Sequence, residues 1–247
     1  MYDKYYHKAA MYDLLANYYK YLNPQLHVMY YQKHLKYMNK LIMVTHRAEQ
    51  EPKSGQPMVR IFHASPDAPS LDVYVNGKRT IRNLTFKQET DYLPLPDAGK
   101  YRIDIYPAGK TDKPVLTETF TFNSGQKYTV AAAGKLADLD LLFIYDNQEV
   151  PPGETKVRFI HLSPDAPAVD VAVKNGDVVF SDVTFKEVTE YLPLSPMAVS
   201  LEARLAGTNK VVLELPPIRL RPNRSYTIYA VGLVNGKPAL EALIAQY

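Results

Sequence analysis

The chain has 247 residues, of which 46% are hydrophobic, so it is long enough for two ordinary domains with substantial cores. It contains no cysteine, which excludes disulfides and thiolate metal sites, and no apolar run of the roughly 18 to 20 residues that a membrane-spanning helix requires. The net charge of +3 originates in the first 50 residues, where seven Lys and Arg face three Asp and Glu, and it does not indicate nucleic-acid binding.

The first 50 residues differ in composition from the rest and predict a helical arm. They contain ten of the 20 tyrosines and four of the six histidines, but no glycine. Asn23-Pro24 divides this segment, because Asn is a good helix N-cap and Pro suits the first helical turn. We therefore predict an α-helical hairpin within residues 1–50, with helices at about 3–22 and 24–48, and a linker at 51–57.

Three uses of the tyrosine-rich arm are open. Its tyrosines could pack against the rest of the chain or a second subunit, or they could assemble into an envelope layer. A membrane surface is a further alternative, since six lysines accompany the aromatic residues. A disordered tail is poor in aromatic residues, whereas this arm is rich in them. We expect the arm to mediate self-association, and we do not favour the membrane.

The remaining chain is a tandem duplication. Three segments recur in the same order at an offset of 98 or 99 residues: VRIFHASPDAPSLDVYV (59–75) with VRFIHLSPDAPAVDVAV (157–173), TFKQETDYLPLP (85–96) with TFKEVTEYLPLS (184–195), and KYTVAAAG (127–134) with SYTIYAVG (225–232). Such self-similarity indicates two copies of one structural unit. We predict a first repeat at 58–149, a linker at 150–156 that Pro151 and Pro152 stiffen, and a second repeat at 157–247.

Each repeat predicts short strands separated by turns. The segment 65–69, SPDAP, must turn, because its prolines lack N–H groups and have a fixed φ. Leu71–Val75 alternates with a period of two, and Asn76-Gly77 is typical of a hairpin turn. About seven strands in ~95 residues predict a mainly β protein with two tandem immunoglobulin-like antiparallel β-sandwiches after the helical hairpin. A small open barrel is the alternative.

The repeated motifs also carry a family resemblance. HASPDAP and HLSPDAP, each followed by a VDVxV-like strand, an NG turn and a YLPL segment, resemble the bacterial domain-of-unknown-function family 4397 over roughly residues 58–247. The resemblance implies a tandem immunoglobulin-like β-sandwich, usually on exported or surface proteins, and no established activity. Members typically carry an export signal, whereas this sequence begins with the arm. The composition of the arm is similar to that of spore-coat proteins of endospore-forming bacteria.

Polar residues around the SPDAP loops form the candidate binding site. They are His63, Asp67 and Asp72 in the first repeat and His161, Asp165 and Asp170 in the second. Imidazole and carboxylates that converge after the first strand could bind a ligand or a metal. In the structural alternative, the Asp of each turn caps backbone N–H groups and the His hydrogen-bonds across the loop. Two ligand types per repeat do not define a transition-metal site, so we predict no metal and no cofactor.

No catalytic motif stands out in the sequence. Ser65 and His63 lie two residues apart on an extended chain without a nucleophile elbow, so a hydrolase triad is not predicted. P-loop, GxGxxG and HExxH patterns are absent. The segments 92–96 and 191–194 could be exposed proline-rich ligands for partner domains. We expect them instead to cross a sheet edge, where prolines end a strand ladder.

These features favour a non-enzymatic structural or adhesive module of a bacterial cell or spore envelope. We expect it to self-associate through its arm or to bind envelope proteins, and not to bind nucleic acid. The alternative is a glycan- or small-ligand-binding module that uses the SPDAP loops. The first residues lack the basic-then-apolar order of a secretory signal, so a cytoplasmic location is the alternative to the surface.

Overall fold

A computed structural model describes the backbone of residues 2–45 and 55–247 and the side chains of residues 6–38 and 55–247. The chain divides into two compact units, Met1–Glu51 and Pro52–Tyr247. It is mainly β with two N-terminal helices, which confirms the predicted fold class. The predicted end of the second helix at 46–48 and part of the predicted linker, 51–54, lie outside the described residues.

The N-terminal unit is a hairpin of two helices, α1 (Tyr2–Tyr19) and α2 (Pro24–Thr45). Asn23 caps α2, because its Oδ1 accepts the backbone N–H groups of Gln25 and Leu26 at 3.1 Å each. Helix α1 ends three residues before the predicted boundary, since the next three residues form the turn into α2. The short turn makes the two helices antiparallel neighbours.

The first repeat forms eight strands within the described residues. They are β1 (Met58–His63), β2 (Leu71–Val75), β3 (Lys78–Leu84), β4 (Leu93–Pro94), β5 (Gly99–Pro107), β6 (Leu116–Phe122), β7 (Lys127–Ala133) and β8 (Asp140–Tyr145). One sheet has the order β4-β1-β7-β8 and the other β3-β2-β5-β6. Neighbouring strands are antiparallel except β1 and β7, which are parallel. Apolar side chains of both sheets meet in one core, which makes the repeat a sandwich.

The second repeat has the same plan with ten strands in the described part of the chain. They are β9 (Thr155–His161), β10 (Val169–Val173), β11 (Val178–Val183), β12 (Leu192–Leu194), β13 (Met197–Val199), β14 (Leu201–Leu205), β15 (Val211–Glu214), β16 (Ile218–Leu220), β17 (Arg224–Val231) and β18 (Glu241–Gln246). The sheets are β12-β9-β17-β18 and β11-β10-β14-β15, with β13 and β16 as an added pair. Strands β9 and β17 are again parallel.

The segments with the YLPL motif lie at the edges of these sheets. Strand β4 pairs with β1 and strand β12 pairs with β9, and each is the last strand on its side. Their prolines are compatible with this position, because an edge strand does not need every N–H group for the ladder. The edge location agrees with the sheet-crossing interpretation of both segments.

The two sandwiches pack against each other through the sheets that contain β1 and β9. These two strands are buried on both faces, because alternate side chains enter the core of their own repeat or a cluster shared by both. We call this shared cluster the seam; it consists of Phe62, Ala64, Ala131, Ala133, Ile144, Ile160, Leu162, Tyr229 and Val231. At its centre the ring centroids of Phe62 and Tyr229 are 4.7 Å apart.

Candidate functional site

The two histidines of the candidate site are buried at the ends of β1 and β9. Nε2 of His63 lies 3.1 Å from the carbonyl oxygen of Pro69, and Nε2 of His161 lies 3.2 Å from that of Pro167. A carbonyl can only accept, so each Nε2 carries the proton and donates. The Nδ1 atom of each ring has no hydrogen-bond partner. Burial lowers the pKa of both histidines, so both rings are neutral near pH 7.

The aspartates of the SPDAP loops tie these loops to the segments that follow β7 and β17. Asp67 Oδ1 accepts the backbone N–H of Leu136 at 2.8 Å. Asp165 accepts two such groups, from Val234 at 2.8 Å and from Asn235 at 2.9 Å. Although burial opposes the shift, these backbone donors lower the pKa of Asp165. In each loop the carboxylate therefore accepts hydrogen bonds that fix the loop to a distant segment of the same repeat.

Asp72 and Asp170 lie on the other sheet of each sandwich, and each accepts two backbone N–H groups at equivalent places. Asp72 accepts the backbone N–H groups of Asn83 at 2.8 Å and of Gly109 at 3.3 Å. Asp170 accepts those of Asp182 at 2.7 Å and Gly207 at 2.8 Å. Burial opposes the shift, but the backbone donors and Arg79 lower the pKa of Asp72. These carboxylates fix the end of a hairpin to the loop after β5 or β14.

The structure thus places the three candidate residues of each repeat in three separate internal contacts. No hydrogen bond joins the histidine to either aspartate in the described part of the chain. Over the same residues, no group of three His, Asp or Glu side chains could hold a metal ion. The hypothesis that the SPDAP loops bind a ligand stays a prediction.

A buried charge network beside the seam was not foreseen from the sequence. Arg60 on β1 and Arg158 on β9 occupy equivalent positions of the two repeats, and both are buried. Each donates from Nε to an equivalent threonine, Thr129 at 2.7 Å and Thr227 at 3.0 Å. The guanidinium of each arginine also lies over a tyrosine ring of its own YLPL segment, at 4.7 and 4.6 Å.

The carboxylates of this network come from the first repeat alone. Glu89 lies 3.0 Å from Nη1 of Arg60, and Asp146 pairs with Arg158. Asp146 also accepts a hydrogen bond from the hydroxyl of Tyr92 at 2.7 Å. Burial raises the pKa of Glu89. Two buried arginines are therefore paired with two carboxylates, which offsets the large cost of burying unpaired charge.

Asp146 and Tyr247 occupy equivalent places in the two repeats. The backbone N–H of Asp146 donates to Lys127, and that of Tyr247 donates to Ser225, the residue equivalent to Lys127. Where the first repeat places a carboxylate, the second thus places a phenol. The hydroxyl of Tyr247 lies 3.4 Å from both oxygens of Glu89, so it reaches the first repeat's other carboxylate. The network binds the two repeats to each other.

The helical arm has aromatic contacts of its own between α1 and α2. Tyr12 stacks on Tyr30 and Tyr37, with ring centroids 6.3 and 5.6 Å apart. The Nδ1 atoms of His27 and His34 each lie 2.9 Å from a carbonyl oxygen of α1. These two histidines are seven residues apart, so they share one face of α2. Both histidines therefore stabilise the contact between α1 and α2.

One face of α1 is apolar and exposed. Met11, Leu14 and Tyr18 follow the i, i+3, i+7 spacing of a single helix face, and they are 48%, 73% and 63% exposed. Tyr21 and Leu22, in the turn after α1, are also exposed. Neither α1 nor α2 is apolar enough over its described length to cross a bilayer. A contiguous apolar surface typically marks an interface.

The two SPDAP motifs, which follow β1 and β9, both lie within a segment that matches a known protein family. Residues 57–172 match the family model of the domain of unknown function DUF4397. The match spans the first repeat and the start of the second, and it confirms the resemblance that the repeated motifs predicted. No curated protein matches the chain.

Three solved structures are similar to parts of this chain. The C-terminal domain of AlgF from P. aeruginosa is 20% identical and has a TM-score of 0.31, over 38% of this chain and 99% of its own. The Bacillus anthracis TIE protein is 13% identical at 0.23, over 76% of this chain and 34% of its own. A protein from Bacteroides eggerthii, named as a candidate for cell adhesion, is 9% identical at 0.21, over 81% and 97%.

Proposed function

We propose that this chain is a non-enzymatic structural or adhesive module of a bacterial cell or spore envelope, and that it self-associates through its helical arm. The observation that carries the proposal is the exposed apolar face of α1, formed by Met11, Leu14 and Tyr18. The partner we propose is the same face of a second copy, because two such faces exclude water from each other. The envelope location rests on the resemblance to DUF4397 proteins.

The packing of the two sandwiches supports a structural role. The seam and its buried arginines hold the repeats together over a broad surface. Removing charged partners from such a network is costly, so we expect the two sandwiches to move as one body. A module that transmits force or spaces other components requires this kind of rigidity.

The contacts at the SPDAP loops support a non-enzymatic role. A hydrolase would require a hydrogen bond between a nucleophile and a base. Ser65 Oγ and His63 Nδ1 both lack hydrogen-bond partners, so they do not bond to each other. Both residues are fully buried, which removes them from any dissolved substrate.

Self-association can be tested by light scattering on the full chain and on one double variant. Leu14→Gln with Tyr18→Gln removes apolar area from the exposed face of α1, and glutamine keeps a good helix propensity. We expect the parent chain to be oligomeric at tens of micromolar and the variant to be monomeric. Asn17→Gln is the matched control, because it changes an exposed polar position of the same helix. This control should leave the oligomer intact.

A chain that begins at Met58 provides a second comparison. It lacks the arm and should be monomeric at the concentration where the full chain associates. If the full chain is already a monomer, the proposed role of the arm is wrong. If the shortened chain associates as strongly as the full chain, the β-rich unit drives assembly instead.

A further inference from the structure

Three arginines of the second repeat line one surface depression. Arg219, Arg221 and Arg224 lie on β16, after it and at the start of β17, and the depression measures about 910 Å³. Its other lining residues are apolar or small: Pro196, Met197, Ala198, Leu220 and Pro222. The lining holds no carboxylate. None of the three guanidinium groups has a hydrogen bond or an ion pair with another side chain of the described residues.

The equivalent turn of the first repeat has the same hydrogen bond and the same positive-φ position without these charges. In the second repeat the N–H of Arg221 donates to the hydroxyl of Tyr226 at 2.9 Å. In the first, the N–H of Asn123 donates to the hydroxyl of Tyr128 at 3.2 Å. The turns also share a residue with positive φ, Asn223 at 59° and its equivalent glycine at 64°.

Arginine is therefore not required for this turn to form. The positions equivalent to the three arginines hold Thr121, Asn123 and Gln126 in the first repeat. These residues are neutral and support the same local structure. A structural explanation of the arginines would need a polar contact that they make, and within the described residues their exposed side chains make no hydrogen bond, ion pair or cation–π contact.

Three unpaired cations in one depression repel each other, and an anion of multiple charge relieves that repulsion. Arg219 and Arg221 are two apart along an extended segment, which places them on the same side about 7 Å from each other. A guanidinium binds phosphate through two parallel N–H donors, and a phosphate has enough oxygens to accept from more than one arginine. A carboxylate has two oxygens and a single charge, so it satisfies such a cluster less well.

We propose that this depression binds a ligand that carries two or more phosphate groups. The lining has no aromatic side chain on which a sugar ring or a base could stack. Recognition therefore depends on the phosphates rather than on what links them. The proposal stands apart from the assembly function, since it concerns residues of the second repeat only.

Tripolyphosphate is a suitable probe, and isothermal titration calorimetry on the full chain gives its affinity. The variant Arg219→Thr, Arg221→Asn, Arg224→Gln gives the second repeat the residues of the first at these positions. We expect this variant to fold, since the first repeat forms the same turn with them. Its affinity should fall about tenfold or more, and the affinity should depend less on salt, because three charges that attract the anion are removed and salt screens such attraction.

A second triple variant provides the matched control. Lys78→Asn, Arg82→Thr and Lys100→Gln remove the same charge from exposed positions of the first repeat. This control should keep the parent affinity. The proposal is overturned if the control loses as much affinity as the arginine variant, or if the arginine variant loses none. Binding of polyglutamate as tight as that of tripolyphosphate at equal ionic strength would overturn the phosphate assignment.

Discussion

The two repeats share a backbone plan but differ in what they present at their surfaces. Their cores, their SPDAP loops and the histidines beneath them make equivalent contacts. The differences lie where the repeats meet each other and where the turn before β7 or β17 meets solvent. At the positions equivalent to Glu89 and Asp146 of the first repeat, the second repeat has an apolar residue, Val188, and a phenol, Tyr247.

This contrast shows which contacts the fold requires and which the pair of repeats has acquired. A contact present in both copies serves the sandwich itself. The two carboxylates beside the seam occur in the first repeat only. They neutralise one buried arginine from each repeat, so a single pair of carboxylates is enough for both copies. Substitutions can therefore test which residues stabilise a single sandwich and which stabilise the pair.

The largest effect is expected from Asp146→Ala. This change leaves Arg158 without its buried partner and also removes an acceptor from Tyr92. Loss of one member of a buried pair costs about 3 to 5 kcal/mol of unfolding free energy. Chemical denaturation at pH 7 measures this loss.

A surface ion pair is the control for Asp146. Lys174 and Glu214 lie 3.1 Å apart on the exterior of the second repeat, and both are exposed. Glu214→Ala should cost no more than about 1 kcal/mol, because exposed pairs are screened by water. Equal losses for Asp146→Ala and Glu214→Ala would show that the network contributes no more than a surface pair.

The next effect concerns a contact that both copies share. Asp72→Ala and Asp170→Ala each remove the acceptor of two backbone N–H groups. Each should cost about 1 to 3 kcal/mol, because two hydrogen bonds to a charged acceptor are lost. The two losses, measured by denaturation, should agree within about 1 kcal/mol. A large loss in one repeat and none in the other would break the proposed equivalence.

The histidines provide a test through pH. Both have a pKa lowered by burial from the ordinary value of 6.5, so the unfolded chain binds their protons more tightly than the folded chain does. Stability should therefore fall as the pH drops from 7.5 to 5.5. The double variant His63→Asn, His161→Asn should be less stable at pH 7.5, by about 1 to 3 kcal/mol for each site.

The same double variant should also show a smaller fall between the two pH values. The difference between the parent and variant slopes isolates the two histidines, because all other groups are common to both proteins. Identical slopes would mean that the two rings do not change their proton affinity on folding. Denaturant titrations at four pH values across this range are sufficient to determine both slopes.

The smallest effect is expected at Lys156, where the first repeat has Met58. Burial lowers the pKa of Lys156 from 10.5 to about 8. Between these two pH values the side chain is therefore protonated in the unfolded chain and neutral in the folded chain. Stability from this group should rise by roughly 1 kcal/mol as the pH increases from 8 to 10.5, since partial solvation reduces the shift's effect. Lys156→Met should lack this rise. An unchanged pH profile would contradict the assignment.

The sandwich and its duplication could be predicted because their signals are local. Leu71–Val75 alternates with the period of a strand, and its predicted bounds match β2. Asn23 was identified as a cap because an N-cap needs only its own side chain and the next few N–H groups. The capping role of Asp67 was also foreseen as an alternative, but its partner, Leu136, lies 69 residues away and no local pattern identifies it.

The network beside the seam could not be predicted, since its partners come from distant parts of the chain. Arg60 and Arg158 interrupt their strands as polar residues and suggest a solvent-facing side. One signal was present: each strand holds two consecutive apolar residues, Ile61-Phe62 and Phe159-Ile160, as is typical of strands buried on both faces. Glu89 and Asp146 lie in loops and carry no periodic signal. Their role depends on the packing of two whole domains.

We expect the two sandwiches to open as a single cooperative body, because the seam joins them. Native-state hydrogen exchange of the parent chain and of Asp146→Ala can test this cooperativity. The substitution should lower the opening free energies of β7 and β17 by the same amount, although Asp146 belongs to the first repeat. A loss of protection confined to the first repeat, with β17 unchanged, would contradict it.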